Sequence, residues 1–458
     1  GVAEQDPEDW WHAVVEATRT LLARTGTNAL DVNGIVVSGQ MMGAVLLDGD
    51  YRPVRPAMIW ADTRSTPQTA QLQERLGDVY TVIGHRLNPT YSLEKVMWVR
   101  DNEPDVFARA RHFCVAKDFV VHRLTGRLAT DRSDASATNA YDQSRGEWSR
   151  DVLDAARLDP ALFPEILEST AVVGTITGAA EALGLDHRTR VVMGGGDGPI
   201  AAVGAGIVAP EDGAYVCLGT SAWISFASPK PVHDAHARTM TFTNVVPGSY
   251  VPTATMQAGG AAIQWVAEVL GSGPSGSSLA CLVESAASAE AALQGLYFLP
   301  YLLGERAPYW NPDATGVFLG LERHHGPAHL ARAALEGVAF NLLTCITAFR
   351  ESGATIDRID AIGGGAVSDV WLQIFADVWG VPVRRRSVVE EANSLGAAVT
   401  GAVGLGLVDG FGAARSLSEV TAEFEPDGAR HDIYRTAHEV FVDAYERLVP
   451  WFGSRVPR

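Results

Sequence analysis

The residues with the clearest chemical promise are Gly194-Gly195-Gly196-Asp197-Gly198, which follow the apolar run Arg190-Val191-Val192-Met193. A strand that runs into a glycine turn and then a helix presents backbone N–H groups that favour anions. The glycines also let a ligand approach the main chain. Asp197 stands where the pyrophosphate of a dinucleotide would sit, and two anions repel, so the turn departs from the GxGxxG fingerprint. A carboxylate there suits a hydroxyl that must lose its proton, or a Mg²⁺ ion, and both belong to phosphoryl transfer. The blander alternative makes Asp197 a helix N-cap.

Two more turns offer donors. Gly219-Thr220-Ser221 joins the apolar runs Gly213–Leu218 and Ala222–Phe226, although Gly-Thr-Ser is common in hairpins. Gly363-Gly364-Gly365 follows the strand Ile359–Ile362 and precedes a helix over 368–379. That helix sets Val370, Trp371, Ile374, Phe375, Val378 and Trp379 on one face. This third turn fits an adenosine, a phosphate, or a close-packed strand–helix joint. No GxxxxGK(S/T) run occurs, so a P-loop nucleotidase is excluded.

The elements that must position these turns alternate between strand and helix, which makes the chain α/β. Residues 7–30 read as one helix, Gly34–Gly39 as a strand, and Ala44–Leu47 as a strand entering the Asp48-Gly49-Asp50 turn. Pro56–Trp60 reads as a further strand, followed by the polar Ala61-Asp62-Thr63-Arg64. Residues 65–165 are mostly helical in pattern, with a turn signal at Leu124-Thr125-Gly126. Residues 271–278 read as a surface loop, and Val381-Pro382-Val383 as a strand. A linker near 207–213 separates lobes 1–207 and 213–458, with a ligand cleft between them.

Composition narrows the partners. The 458 residues carry 36 Lys plus Arg against 54 Asp plus Glu, a net charge of −18, and 47% are hydrophobic. A chain this apolar builds a core, and roughly 150 residues per domain predicts two large domains or three smaller ones. A surface this acidic repels nucleic acid and anionic membranes. Apolar runs break well before the roughly 20 residues of a membrane span, and the N-terminus lacks a leader pattern. Cys114, Cys217, Cys281 and Cys345 lie far apart in apolar or small-residue runs and read as buried free thiols of a reduced, cytoplasmic protein. His324-His325 reads as an exposed turn, and Arg384-Arg385-Arg386 as a solvated strand edge. Trp60 and Trp98 are the tryptophans to watch, because sugar faces stack on aromatic rings.

The motifs, taken in order, resemble the FGGY carbohydrate kinases, and most closely the xylulokinase-like branch. They are Gly39-Gln40-Met41-Met42-Gly43, Trp60-Ala61-Asp62-Thr63-Arg64, Lys95-Val96-Met97-Trp98, Lys117-Asp118-Phe119, Thr130-Asp131 with Ser133-Asp134-Ala135-Ser136, and the turns at 194–198 and 219–221. Leu299-Pro300-Tyr301, Gly304-Glu305-Arg306-Ala307-Pro308, Gly316–Leu321, Gly363–Ala366 with Trp371-Leu372-Gln373, and Glu391–Ala398 continue the series. The resemblance implies a two-domain actin-like, ribonuclease-H-like ATPase fold that closes on ATP, Mg²⁺ and a sugar. It implies Asp197 as the general base, facing the metal. It places Gln40, Met41, Met42, Trp60, Asp62, Arg64 and Gly198 around the sugar. Gly219, Thr220, Ser221, Gly260, Gln264, Gly364, Gly365 and Asp369 fall on the nucleotide side. The implied reaction phosphorylates a hydroxyl of a ketose such as xylulose, or a related polyol. Relatives commonly dimerise, although no interface is legible here.

Three departures matter. The family opens with an Asp-x-Gly-Thr-Thr hairpin that this chain lacks, so an N-terminal segment is expected to be missing and residues 1–458 alone to bind ATP weakly. Met42 stands where xylulokinases place His, and Gly198-Pro199 where they favour Asn. A thioether scarcely hydrogen-bonds a hydroxyl, so these positions leave the identity of the sugar open, xylulose or another. The lost hairpin also admits a second reading, a catalytically impaired sugar sensor on a kinase fold.

Overall fold

The computed structural model describes residues 1–178, 180–271 and 276–454. Helix α1 (Pro7–Thr25) starts at Asp6, whose side chain accepts from Glu8 N, with proline in the first turn. It stops short of residue 30 because Gly26 takes a left-handed conformation with φ 66°. Strand β1 (Gly34–Gly39) matches its expected span. Residues 65–165 hold helices, including α2 (Ser92–Asn102) and α3 (Ala116–Thr125), but also short strands at His112–Cys114, Ala129–Asp131, Tyr141–Asp142 and Glu147–Trp148. Their two or three residues are too short for a periodicity to register.

Strands β2 (Val172–Thr175) and β3 (Arg190–Gly196) complete a three-stranded sheet in the order β2-β3-β1, with β3 and β1 parallel. Helix α4 (Asp197–Gly204) leaves directly from β3. The segment 207–213 is no loose linker: Asp212 accepts from Val208 N and Ala209 N and is held by Arg415 at 2.6 Å.

The second half is built on a seven-stranded sheet. Its members are β4 (Ala214–Leu218), β5 (Ala222–Phe226), β6 (Met240–Thr243), β7 (Tyr250–Met256), β8 (Ile359–Ile362), β9 (Val383–Arg386) and β10 (Val420–Phe424). They run in the order β6-β7-β5-β4-β8-β9-β10, with β4, β8 and β9 mutually parallel. Helices α5 (Gly260–Val269), α6 (Pro327–Glu351), α7 (Asp369–Trp379), α8 (Ala392–Gly404) and α9 (Gly428–Gly453) follow in chain order. By length and composition α6 would cross a bilayer, yet it is the buried core helix of this half, and its Arg332 pairs with Glu336 at 2.6 Å. Of the expected loop 271–278, residues 272–275 lie outside the described residues, and 276–278 open the helix Gly276–Ser285.

The arginine triplet corrects an expectation. Arg384, Arg385 and Arg386 form the body of β9, between β8 and β10, rather than a solvated edge. Arg384 Nε and Arg386 Nε grip the two oxygens of the fully buried Asp360 at 2.6 and 2.7 Å. An isolated carboxylate inside a sheet is costly, and paired guanidinium groups on the adjacent strand compensate it.

Helix α8 ties the halves together. A Cβ at Gly204 would lie 1.6 Å from the Ala392 carbonyl, and one at Gly396 2.0 Å from the Ile200 carbonyl. Only glycines allow α4 and α8 to cross this closely. The backbone that carries Asp197 is thereby fastened to the second half.

Candidate active site

The approach to Asp197 is set strand by strand. Gly194 has φ 70°, and a Cβ there would fall 1.8 Å from the Val37 carbonyl, so β3 needs glycine to pass β1. Gly196 N donates to Ser133 Oγ at 3.0 Å, and Ser133 Oγ donates to Asp131 Oδ2 at 2.5 Å. Lys117 lies among Asp118, Asp131 and Asp134 at 2.8, 3.3 and 3.5 Å, all four fully or almost fully buried. This network holds the strand end from below.

Gly196 occupies the N-cap position and Asp197 is the first helical residue, so its carboxylate does not serve as the cap. Oδ1 accepts from Gly198 N at 2.8 Å. The carboxyl opens onto cleft water yet is ringed by protein, and that burial pushes its pKa up to about 6. A carboxylate so placed is poised to accept a proton near neutral pH.

Two cavities meet at the glycine turns. The first, about 460 Å³, is lined by Met41, Met42, Trp60, Asp197 and Gly198 from the first half. Ser221, Trp223, Thr253, Thr255, Arg306 and Asn393 face it from the second. The other, about 490 Å³, is lined by Gly219, Thr220, Gly260, Gln264, Gly364, Gly365 and Trp371. Ser221 and Gly363 turn toward the first cavity, whereas Thr220 and Gly364 turn toward the second. The boundary between the cavities is therefore the pair of turns themselves.

Met42 takes a left-handed backbone, φ 65°, uncommon for a residue with a side chain. Buried Lys95 on α2 holds it, donating from Nζ to the Met42 carbonyl at 2.7 Å and also to Thr90 O. Burial lowers the Lys95 pKa to about 7.

Four other expected residues are not among those lining the two cavities. Gln40 donates to Gln5 Oε1 at 2.8 Å. Asp62 is buried and paired with Arg64, which also meets Glu4 and stacks 4.9 Å above the Trp98 ring. Trp98 therefore packs on arginine, while Trp60, 43% exposed, faces the cavity. Asp369 pairs with Arg385 at 2.6 Å.

Cys114 and Cys345 are buried, but Cys281 is exposed and Cys217 faces the first cavity. Buried thiols were expected throughout; small neighbouring residues do not reveal which side of an element meets solvent. His324 sits on an exposed turn and His325, half-buried, follows it, with rings 4.1 Å apart. Among the described residues no group of three or more His, Cys, Asp or Glu side chains could hold a metal ion.

Sequence reasoning assigned no role to Cys217, Trp223, Thr253, Thr255, Arg306 or Asn393. Arg306 and Asn393 stood inside recognised motifs, and that was the available signal. The threonines carried none.

Two α/β lobes around a cleft carboxylate, with a separate glycine-walled cavity behind it, define a small-molecule phosphotransferase. The model of the FGGY family of carbohydrate kinases, N-terminal domain, matches residues 1–204, and that of its C-terminal domain matches residues 214–405. A xylulose kinase of Staphylococcus epidermidis is 33% identical over 455 residues, covering 98% of this chain and 89% of that protein. The crystal structure of a xylulose kinase from Rhodospirillum rubrum has a TM-score of 0.90 at 30% identity, covering 99% of this chain and 92% of that one. A gluconate kinase from Lactobacillus acidophilus has a TM-score of 0.91 at 25% identity, covering 99% and 91%. The chain belongs to the FGGY family of carbohydrate kinases, and it is a sugar kinase with ATP as the family's phosphate donor.

Proposed function

We propose that this chain transfers the γ-phosphoryl of ATP to a hydroxyl of a small sugar, a ketose such as xylulose or a related polyol, with Asp197 as general base. The observation that carries the reading is Asp197 on the wall of a sugar-sized cavity that adjoins a second, glycine-lined one. Asp197 Oδ atoms take the hydroxyl proton as the oxygen attacks, and the fixed position of β3 supplies alignment. Met41, Met42, Trp60 and Gly198 are assigned to the sugar. Gly219, Thr220, Ser221, Gly260, Gln264, Gly364 and Gly365 are assigned to the nucleotide. Gln40, Asp62 and Arg64 are assigned to the sugar side and Asp369 to the nucleotide side, adjoining those linings.

The lobes are assigned as 1–207 and 213–458, with the sugar cavity shared between them. Mg²⁺ bound chiefly by phosphates needs only one or two protein carboxylates, and Asp197 is the one of the two cavity carboxylates, with Glu390, assigned to face it, where the ion would neutralise phosphate charge. Closure of the lobes would exclude water from the transfer.

The test is a coupled ADP-release assay on the full-length gene product across pentuloses, hexuloses, polyols and aldonic acids. Turnover with one acceptor class is expected. Asp197→Asn should lower kcat by about 10²–10⁴-fold while sugar binding persists. Near-normal kcat in that variant would remove Asp197 from the role.

A further inference from the structure

Arg306 is a cation without a counter-ion on the wall of the first cavity. Its Nε is buried and has no hydrogen-bond partner, and among the described residues no carboxylate lies within ion-pair distance of its guanidinium. The adjacent Glu305 is engaged elsewhere. Its Oε1 accepts from Gln257 N at 2.7 Å and Arg306 N at 2.8 Å, and its Oε2 accepts from Asn341 Nδ2 at 3.3 Å. A half-buried guanidinium left unpaired is costly unless a ligand supplies acceptors.

The placement separates two roles. Arg306 lines the cavity of Met41, Met42 and Asp197, and it does not line the glycine-walled one. Arg306 therefore faces the acceptor's cavity rather than the nucleotide's.

Resting on the kinase reading, we propose that Arg306 reads the end of the acceptor distal to the phosphorylated hydroxyl, and selects an end bearing a ketone or carboxylate oxygen over a reduced one. A guanidinium carries five donors and no acceptor. Carbonyl and carboxylate oxygens only accept, so they pair with it fully, whereas an alditol hydroxyl also brings a proton that must find its own acceptor. Met41, Met42 and Phe242 on the same cavity wall offer no strong acceptor, so that proton would depend on Glu390, Asn393, Thr253 or Thr255 elsewhere in the lining. A site built to pair with a substrate group discriminates strongly against the analogue that lacks it.

The experiment compares kcat/KM for a ketose, an aldonate and the alditol of equal carbon number, in the unmodified chain, Arg306→Gln and Arg306→Lys. The unmodified chain should favour one or both oxidised acceptors over the alditol by at least about 10-fold. Arg306→Gln should collapse that ratio through KM for the acceptor and leave KM for ATP unchanged. Arg306→Lys should recover an aldonate preference better than a ketose preference, because a point charge replaces the fork. An alditol equal to the oxidised acceptors would overturn the proposal. So would an Arg306→Gln loss that is uniform across acceptors or confined to ATP. Should Arg306→Gln fail to fold, the ratios in the unmodified chain and in Arg306→Lys decide. Absence of ADP release with every acceptor would defeat the kinase reading instead, and acceptor-induced thermal shifts on the same panel would still test Arg306.

Discussion

The side-chain amide of Asn393 donates to the main-chain carbonyl of Asp197 at 2.9 Å, joining residues 196 apart in sequence. Asn393 belongs to α8, whose glycine crossing with α4 leaves no room for slippage. The backbone of Asp197, the proposed general base, is thus held by both halves of the protein. Its first turn is anchored by the second half, and its strand by Ser133 and Asp131 in the first.

Removing that tie tests its contribution. Asn393→Ala deletes one hydrogen bond of about 0.5–1.5 kcal/mol and should reduce kcat roughly 3- to 10-fold, with little change in KM for ATP. Steady-state kinetics at saturating ATP read the effect. An unchanged kcat would mean that helix crossing alone positions Asp197.

The proton affinity of Asp197 sets an acid limb. Burial raises its pKa from 3.8 to about 6, and the base works only when deprotonated, so kcat/KM should fall as pH drops through about 6. The stability sign is opposite. The folded chain holds this proton more tightly than the unfolded chain, so the contribution to stability is full below 3.8 and is lost as pH rises through about 6. Melting curves of Asp197→Asn across that window should show a flatter pH dependence than the unmodified chain.

Met42 offers a specificity test. Its φ of 65° is tolerated better by histidine than by most side chains, and an imidazole can bond a hydroxyl where a thioether cannot. Met42→His should raise kcat/KM for hydroxyl-rich ketoses by about 10-fold without loss of melting temperature. A uniform decline across the acceptor panel would show that the pocket needs the apolar side chain.

The β8–β9 clamp yields a stability prediction. Asp360→Ala would strand Arg384 and Arg386 inside the second sheet, at a cost of about 3–5 kcal/mol. Chemical denaturation should show the loss. A melting temperature within a degree of the unmodified chain would contradict the account.

Much of the site was legible because its signals are local. A glycine that must pass a neighbouring carbonyl, or an acid at a strand-to-helix turn, announces itself within a few residues. Gly194 and Asp197 were readable in that way, whereas the cavity-lining Met41, Met42 and Trp60 were assigned to the sugar by the family resemblance of the motifs that carry them. Signals that depend on a distant partner were not. Asp360 waits 24 to 26 residues upstream of the arginines that pair with it, and the triplet by itself looks like a solvated edge. Asp62 is buried against Arg64 and Asp369 is paired with Arg385 while its side chain stays exposed, and neither partner could be read from the motif in which it stands.

The sequence alone determined the α/β character, the three glycine turns and the carboxylate at the first of them. These follow from backbone sterics and hydrophobic period, which act over a few residues. The tertiary structure decided which turns face which cavity, that Cys217 and Arg306 line the cleft, and that α8 reaches back to hold Asp197. Those outcomes depend on how sheets and helices pack across hundreds of residues, and no local spacing encodes the charge or the wall on the far side of a cavity.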